Sequence, residues 1–168
     1  MRHKALLISA LILGSLAATA AADAVRGPME DGTLSVRDGR AAIQLKMKGS
    51  VIGRLAKGRL TVTGSFAATT TAIVRGWESR QRDVNGRTVT YIGAGMRFRI
   101  ADDKRFNVRV SGKGLNFSAV GRGDGWMDGW GDPSEGVFFD GSYALNGVEF
   151  PSVPNERTRF DLAAPPGN

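Results

Sequence analysis

Short runs of alternating apolar and polar residues, separated by glycines, constrain the fold of this chain more than any other feature. In AIQLKMK (42–48), every second side chain is apolar, and those between are polar or basic. GMRFRI (95–100) and RFNVRV (105–110) follow the same rule, with arginine at most of the polar positions. Side chains on a strand alternate between its two faces, so these runs predict antiparallel strands with one buried and one solvated face.

Further runs and turn signals extend this prediction to the whole domain. RLTVT (59–63) and GLNFSAV (114–120) are similar runs. Dipeptides favoured at hairpin turns stand at Asn85-Gly86, Asp128-Gly129, Asp140-Gly141 and Asn146-Gly147. The alternation predicts these inward-facing side chains: Ile43, Leu45, Met47, Leu60, Val62, Met96, Phe98, Ile100, Phe106, Val108 and Val110. The expected fold is all-β, an antiparallel β-sandwich or closed barrel of roughly ten short strands, compared with ~5–6 in a typical sheet.

The N-terminal residues have the order of a secretory signal peptide. Basic residues at Arg2 and Lys4 precede an apolar stretch over 5–16, and small residues with A-x-A spacing end at Ala20 and Ala22. The stretch is shorter than the roughly 20 residues that cross a bilayer. The sequence therefore predicts an exported protein, periplasmic or extracellular, with no transmembrane span in the mature chain. The expected divisions are a signal peptide at 1–22, a single all-β domain at 23–161 and a disordered tail at 162–168.

The types of residue that are missing narrow the possible chemistry. The only histidine is His3, inside the predicted signal peptide, and there is no cysteine. The mature chain therefore cannot form Ser-His-Asp or Cys-His nucleophile systems, or the usual zinc, copper and haem ligand sets. We expect no catalytic residues, no cofactor and no metal, and hence a protein that is not an enzyme. A carboxylate-based hydrolase is the third functional alternative.

Charge is distributed unevenly along the chain. Residues 23–122 contain 19 basic and 8 acidic residues, whereas residues 123–168 contain 2 basic and 8 acidic residues. Arginine outnumbers lysine by 17 to 6, and its planar fork suits phosphate, sulfate and carboxylate groups. An exported basic protein meets anionic cell-envelope polymers or glycans, so we expect such a partner and no nucleic acid. The sequence makes no prediction of oligomeric state.

One arginine pair suggests where an anionic partner would bind. If ADDK (101–104) is a turn joining strands 95–100 and 105–110, matching the inward faces sets Arg97 opposite Arg109. Like charges that face each other across two strands are unfavourable, and either an internal carboxylate or an external anion would relieve them. The predicted anion-binding residues are Arg97, Arg99, Arg105 and Arg109.

The stretch GRGDGWMDGWGDPSEG (121–136) allows three interpretations. As a hairpin turn at Asp128-Gly129, it would pair Trp126 with Trp130 across the turn. Exposed tryptophans could instead form a sugar platform, for which the candidates are Trp77, Trp126 and Trp130. A weaker alternative is a calcium site formed by Asp124, Asp128, Asp132 and Glu135, whose spacing does not match the usual calcium loop.

Two longer phrases carry a family resemblance. FNVRVSGKGLNFSAVGRG (106–123), followed by FFDGSYALNGVEF (138–150), resembles a group of small secreted bacterial β proteins. The resemblance covers the second half of the chain. It implies export and an all-β fold, and it implies no activity.

Together these features predict a secreted, non-enzymatic envelope protein. Its expected role is structural or adhesive, through a basic sheet face that binds anionic envelope polymers. The alternative is a small carbohydrate- or lipid-binding β module.

Overall fold

The computed structural model describes residues 31–64, 72–131 and 140–163, and these residues form seven strands and no helix. The strands are β1 (Gly32–Thr63), β2 (Ile73–Arg75), β3 (Ser79–Arg82), β4 (Thr88–Gly129), β5 (Ser142–Leu145), β6 (Val148–Phe150) and β7 (Thr158–Leu162). Every strand pair is antiparallel, which confirms the predicted all-β antiparallel class. The predicted signal peptide at 1–22 lies outside the described residues.

Two long strands replace several of the predicted short ones, and the described residues form seven strands where roughly ten were expected. β1 contains both predicted runs at 42–48 and 59–63, and β4 contains all three predicted runs between residues 95 and 120. The stretch 101–104, interpreted from its polar residues as a turn, continues β4. Polar residues and glycines that interrupt the alternation therefore lie within the strands, where Asp38, Gly95 and Gly114 have positive φ, and they do not end the strands.

Each long strand pairs with the other along both of its edges. Gln44 of β1 lies opposite Arg109 on one edge and opposite Trp126 on the other. Most residues of β1 from 41 to 63 have two such partners in β4. Both pairings can hold only if the hairpin of β1 and β4 coils back on itself, so that different segments of the two strands pair on each edge.

Short strands complete the sheet at both ends. The strand order is β2-β4-β1-β5-β6, and β3 and β7 each pair with a further stretch of β4. The order does not return to its start, so the sheet is not closed. The edge strands β2 and β6 have three residues each, which limits the backbone that an edge offers for pairing with another chain.

Paired glycines allow β1 and β4 to approach closely where they coil. Gly49 lies opposite Gly121, and their φ angles of 129° and 147° are in a region that other residues rarely adopt. A Cβ on Gly49 would overlap the carbonyl oxygen of Val120, and a Cβ on Gly121 would overlap that of Lys48. Only glycine fits at this crossing. A second facing pair is Gly58 and Gly112.

The core lies on the inward face of the coiled hairpin. All eleven side chains that the alternation predicts to face inward are buried, none with more than 4% of its surface exposed. Phe117, Met127 and Leu162 extend the same cluster. The period-two pattern therefore predicted the core correctly, because side-chain alternation is a property of each strand by itself.

The predicted turns have three different outcomes. Asn146-Gly147 joins β5 to β6 with positive φ at both residues, which confirms a two-residue hairpin. Asn85-Gly86 does lie in a hairpin, between β3 and β4, but the loop spans 83–87. Asp128-Gly129 is wrong as a turn, because both residues end β4 and pair with β1. Asp140-Gly141 is also wrong as a hairpin turn, because β5 begins after it and pairs with β1.

The hairpin of β5 and β6 carries a stacked aromatic pair. The rings of Tyr143 and Phe150 lie 4.5 Å apart and nearly parallel. Burial raises the pKa of the Tyr143 hydroxyl above its ordinary value. Tyr143 also packs against the hydrophobic core.

Asp140 is the one fully buried charged residue among the described residues, and it joins two parts of the chain. Its carboxylate accepts a hydrogen bond from the backbone N–H of Gly131. Its backbone carbonyl accepts one from the N–H of Arg40 at 3.1 Å. Asp140 thus ties the segment after β4 to β1 and to the start of β5.

Replacing Asp140 by alanine should lower the free energy of unfolding by about 1–3 kcal/mol, because the Gly131 N–H loses its acceptor. Urea unfolding followed by tryptophan fluorescence measures this. The matched control is Asp161→Ala at an exposed position of β7. This variant should change the free energy of unfolding by less than about 0.5 kcal/mol. Equal losses in the two variants would show that Asp140 contributes no more than a surface acid.

The C-terminal boundary lies further along the chain than the sequence suggested. Leu162, assigned to the disordered tail, is the last residue of β7 and is fully buried. β7 pairs with β4 through Gly123 opposite Leu162. The folded domain therefore includes Leu162.

Candidate anion-binding face

The predicted pairing of Arg97 with Arg109 is wrong. Residues 101–104 continue β4, so the two arginines lie along one strand and not across a hairpin. Arg109 faces Gln44 on one side and Thr61 on the other. The prediction failed because a polar stretch without glycine was interpreted as a turn.

Arg97 nevertheless lies among like charges, with different partners. It is opposite Arg54 of β1 and opposite Arg75 of β2, and all three side chains are exposed. Directly opposed residues on antiparallel strands present their side chains on the same face. We call Arg54, Arg75 and Arg97 the arginine row. It places three guanidinium groups on three neighbouring strands.

A groove continues from the arginine row across the later part of β4 to the start of β1. Its volume is about 460 Å³, and its lining includes Arg54, Arg97 and Arg37 together with Asn116 and Ser118. Asn116 lies opposite Arg54 on the edge away from Arg97. Hydrogen-bond donors therefore continue along one line beyond the arginine row.

Among the described residues, no carboxylate forms an ion pair with the arginine row. Within the described ranges, the ion pairs lie elsewhere, between Arg105 and Asp124 at 3.2 Å and between Arg122 and Asp31 at 3.1 Å. Arg54 faces Asn116 and Arg97, and neither is acidic. Like charges opposed across strands cost stability, so the arginine row is a surface on which a bound anion would be favourable.

The other predicted anion-binding arginines have separate positions. Arg105 pairs with Asp124, so an internal acid already occupies it. The guanidinium of Arg109 lies over the ring of Trp126, 5.5 Å from its centroid. Arg99 lies between the exposed side chains of Ile52 and Ile73, next to the arginine row along β4. Of the four, Arg97 and Arg99 belong to the candidate face.

The three candidate tryptophans have different surroundings. Arg109 and Arg157 both lie over the half-buried ring of Trp126, the latter at 4.1 Å. Trp77 is 45% exposed, with its ring 6.5 Å from that of Tyr91. Trp130 follows β4 and is 43% exposed. In the described part of the chain no ring contact joins any two of them, so the predicted pairing of Trp126 with Trp130 is wrong.

The acidic residues of the 121–136 stretch are also separated. Asp124 is the ion-pair partner of Arg105, and Asp128 lies in β4 opposite Ala42. Asp132 and Glu135 lie outside the described residues. Among residues 31–64, 72–131 and 140–163, no group of three potential ligand side chains is arranged to hold a metal ion.

Comparison with known proteins adds no assignment: no family model matches the chain, and no curated protein or solved structure matches it either. In the described ranges, no helix has the length and apolar character needed to span a membrane. The proposal of function below is therefore based on the arginine row.

Sequence reasoning missed Arg54 and Arg75. Both alternate with apolar neighbours, as Arg97 does, so their outward direction could have been predicted. Their position beside Arg97 could not, because it depends on β1 and β2 flanking the first part of β4.

Proposed function

We propose that the protein is an exported, non-enzymatic protein of the cell envelope that binds anionic polymers through the arginine row. The observation that carries this proposal is Arg97 held between Arg54 and Arg75, with no carboxylate partner among the described residues. A protein that only needed a solvated surface would gain nothing from opposing three cations, because the repulsion lowers its stability.

The spacing of the arginine row favours a polymer over a single small anion. Neighbouring strands lie ~4.8 Å apart, so the three guanidinium groups form a line with one cation for each strand. Each guanidinium can donate two parallel hydrogen bonds to a phosphate, sulfate or carboxylate group. A chain with repeated anionic groups can contact all three at once.

Two features of the sequence support the location and the absence of catalysis. The N-terminal 22 residues have the order of a signal peptide, and we propose that they are removed on export. The chain beyond them has no histidine or cysteine, the residues on which most nucleophilic and acid-base catalysis depends. We further propose that the sheet packs as a sandwich or barrel, an arrangement supported by the pairing of β1 with β4 on both edges.

The double variant Arg54→Gln, Arg97→Gln should bind purified teichoic acid at least about tenfold more weakly than the parent protein. Each charge-assisted hydrogen bond contributes about 1.5–3 kcal/mol, and 1.4 kcal/mol corresponds to a tenfold change. Its free energy of unfolding should stay the same or rise by up to about 1 kcal/mol, because the repulsion is removed. Surface-immobilised polymer and equilibrium unfolding measure the two effects.

The matched control is Arg82→Gln, Arg87→Gln, which makes the same change in net charge near the hairpin of β3 and β4. It should retain most of the binding. Binding by the parent protein should weaken as salt rises, since mobile ions screen exposed charges. Equal binding by the double variant and the parent protein would refute the proposal, and equal losses in both variants would reduce it to a general effect of net charge.

A further inference from the structure

A second row of basic side chains crosses the sheet beside Trp130. Arg40 of β1 lies opposite Lys113 of β4, and Lys113 lies opposite Lys57 on its other edge. The backbone N–H of Trp130 donates a hydrogen bond to the carbonyl of Arg40 at 3.0 Å, which places Trp130 on the edge of Arg40 away from Lys113. The four residues are therefore neighbours in the order Trp130, Arg40, Lys113 and Lys57.

These four residues line one groove, which we call the Trp130 groove. Its volume is about 500 Å³, and Arg59 and Glu78 also line it. Trp130 is 43% exposed, so part of its surface is available to a ligand. The groove combines an aromatic side chain at one end with a line of cations that leads away from it.

Three glycines also line the Trp130 groove. Gly58 lies opposite Gly93 on one edge and opposite Gly112 on the other. A Cβ on Gly58 or Gly112 would overlap the facing backbone, and one on Gly93 would overlap the backbone of residues 76–78. These glycines therefore let the chain segments around the groove approach one another closely.

The described part of the chain gives the lysines of the groove no ion-pair partner. Within the described parts of the chain, neither Lys57 nor Lys113 forms an ion pair. Among the described residues, the only acid that lines the groove is Glu78, whose carboxylate accepts a hydrogen bond from the N–H of Ala94 at 3.2 Å. The groove is therefore strongly basic.

We propose that the Trp130 groove binds an acidic saccharide, with Trp130 against a sugar ring and Lys113 and Lys57 paired with anionic groups on that ring and the next. The negative face of an aromatic ring attracts the C–H edge of a sugar, which has a partial positive charge. Cations on successive strands, ~4.8 Å apart, meet the charges of neighbouring sugar residues. Lysine pairs with carboxylate and phosphate as a point charge, so both kinds of acidic sugar belong to this class.

This site is independent of the arginine row, which shares no residue with it. It requires a ring as well as a charge, whereas the arginine row requires only repeated anions. The two proposals can therefore fail separately. Variants confined to one of the two sites discriminate between them.

Isothermal titration of the purified full-length protein with trigalacturonate tests the proposal, with galactotriose as the neutral control and galactose 6-phosphate as the phosphate-bearing probe. We expect binding of trigalacturonate, of galactose 6-phosphate or of both, and at least a tenfold weaker affinity for galactotriose. Trigalacturonate alone would assign the site to uronic acids, and galactose 6-phosphate alone would assign it to phosphorylated sugars.

Variants then locate the site. Trp130→Ala and Lys57→Gln, Lys113→Gln should each weaken binding of the bound acidic probe at least tenfold, whereas Trp130→Phe, which keeps an aromatic face, should retain most of it. Glu78→Gln should strengthen binding, because a like charge leaves the groove. The double variant Arg54→Gln, Arg97→Gln should bind the saccharide as tightly as the parent protein does, although it binds the anionic polymer more weakly.

Three results would overturn the proposal. They are no measurable binding of either acidic probe by the parent protein, equal affinity for galactotriose, and undiminished binding in both Trp130→Ala and Lys57→Gln, Lys113→Gln. Loss of saccharide binding in Arg54→Gln, Arg97→Gln to the same extent would also overturn it, because the saccharide would then lie on the arginine row.

Discussion

Gly121→Ala should lower the free energy of unfolding by about 3–5 kcal/mol and the melting temperature by roughly 10 °C or more. The new Cβ would overlap the carbonyl oxygen of Lys48 and lie 3.0 Å from the Cα of Gly49. Both are backbone atoms of the facing strand, so no side chain can move aside. Alanine would also have to adopt a φ of 147°, and the two costs add at one position.

Gly95→Ala separates these two costs. Gly95 has a φ of 69°, and a Cβ there would meet no atom within 4 Å. Its replacement should therefore cost only about 1 kcal/mol, from backbone conformation alone. Thermal unfolding by circular dichroism compares the two variants. Similar losses at Gly95 and Gly121 would contradict the close approach of β1 and β4 at the Gly49 and Gly121 crossing.

Ile43→Ala should lower the free energy of unfolding by about 2–5 kcal/mol, because truncating a fully buried isoleucine loses transfer free energy and leaves a cavity. Ile43 is 0% exposed and lies between Val110 and Met127 of β4. At this position β1 pairs with β4 on both of its edges. The cavity would therefore open inside the coiled hairpin.

Ile52→Ala is the matched control, since it removes the same atoms from the same strand. Ile52 is 50% exposed and points outward beside Arg99. Its truncation should change stability by less than about 1 kcal/mol. Urea unfolding with a common slope gives both values. Equal losses would mean that β1 does not have one buried and one solvated face.

These two effects connect the fold to both proposed sites. The glycine crossings and the buried face of β1 together hold the strands in their register, and the register places Arg97 between Arg54 and Arg75. The same register aligns Lys113 between Arg40 and Lys57. Charges that repel stay in a line only because the apolar face of the same strands is packed. We therefore expect variants that weaken the core to weaken both sites, whereas the site variants should leave the core intact.

Much of the fold could be predicted because alternation along a strand is a local property. The runs from Ile43 to Val110 identify which side chains are inward, and every one of them is buried. The hairpin at Asn146-Gly147 follows from two residues that tolerate positive φ. The number of strands did not follow, because 101–104 contains polar residues that are equally compatible with a turn and with a solvated stretch of strand.

The candidate sites were less predictable for a related reason. Arg97 was identified from its own strand, but its partner was placed at Arg109 instead of Arg54 and Arg75. Trp130 was considered together with Trp126, whereas the structure places it beside Arg40. For Arg97 the outward direction of the side chain was predicted correctly, and for Trp130 it was not predicted. For both residues the predicted neighbour was wrong.

The sequence by itself determined the strand class, the buried face and the excess of arginine on the solvated face, because each depends on residue type and on a period of two. Only the tertiary structure decided which arginines and lysines stand side by side. Cross-strand neighbours depend on how the hairpin of β1 and β4 coils, and the coil depends on contacts between residues far apart in the chain, such as Gly49 with Gly121. Local alternation carries no information about contacts between residues far apart in the chain. The arginine row and the Trp130 groove therefore arise from the coiling of the hairpin.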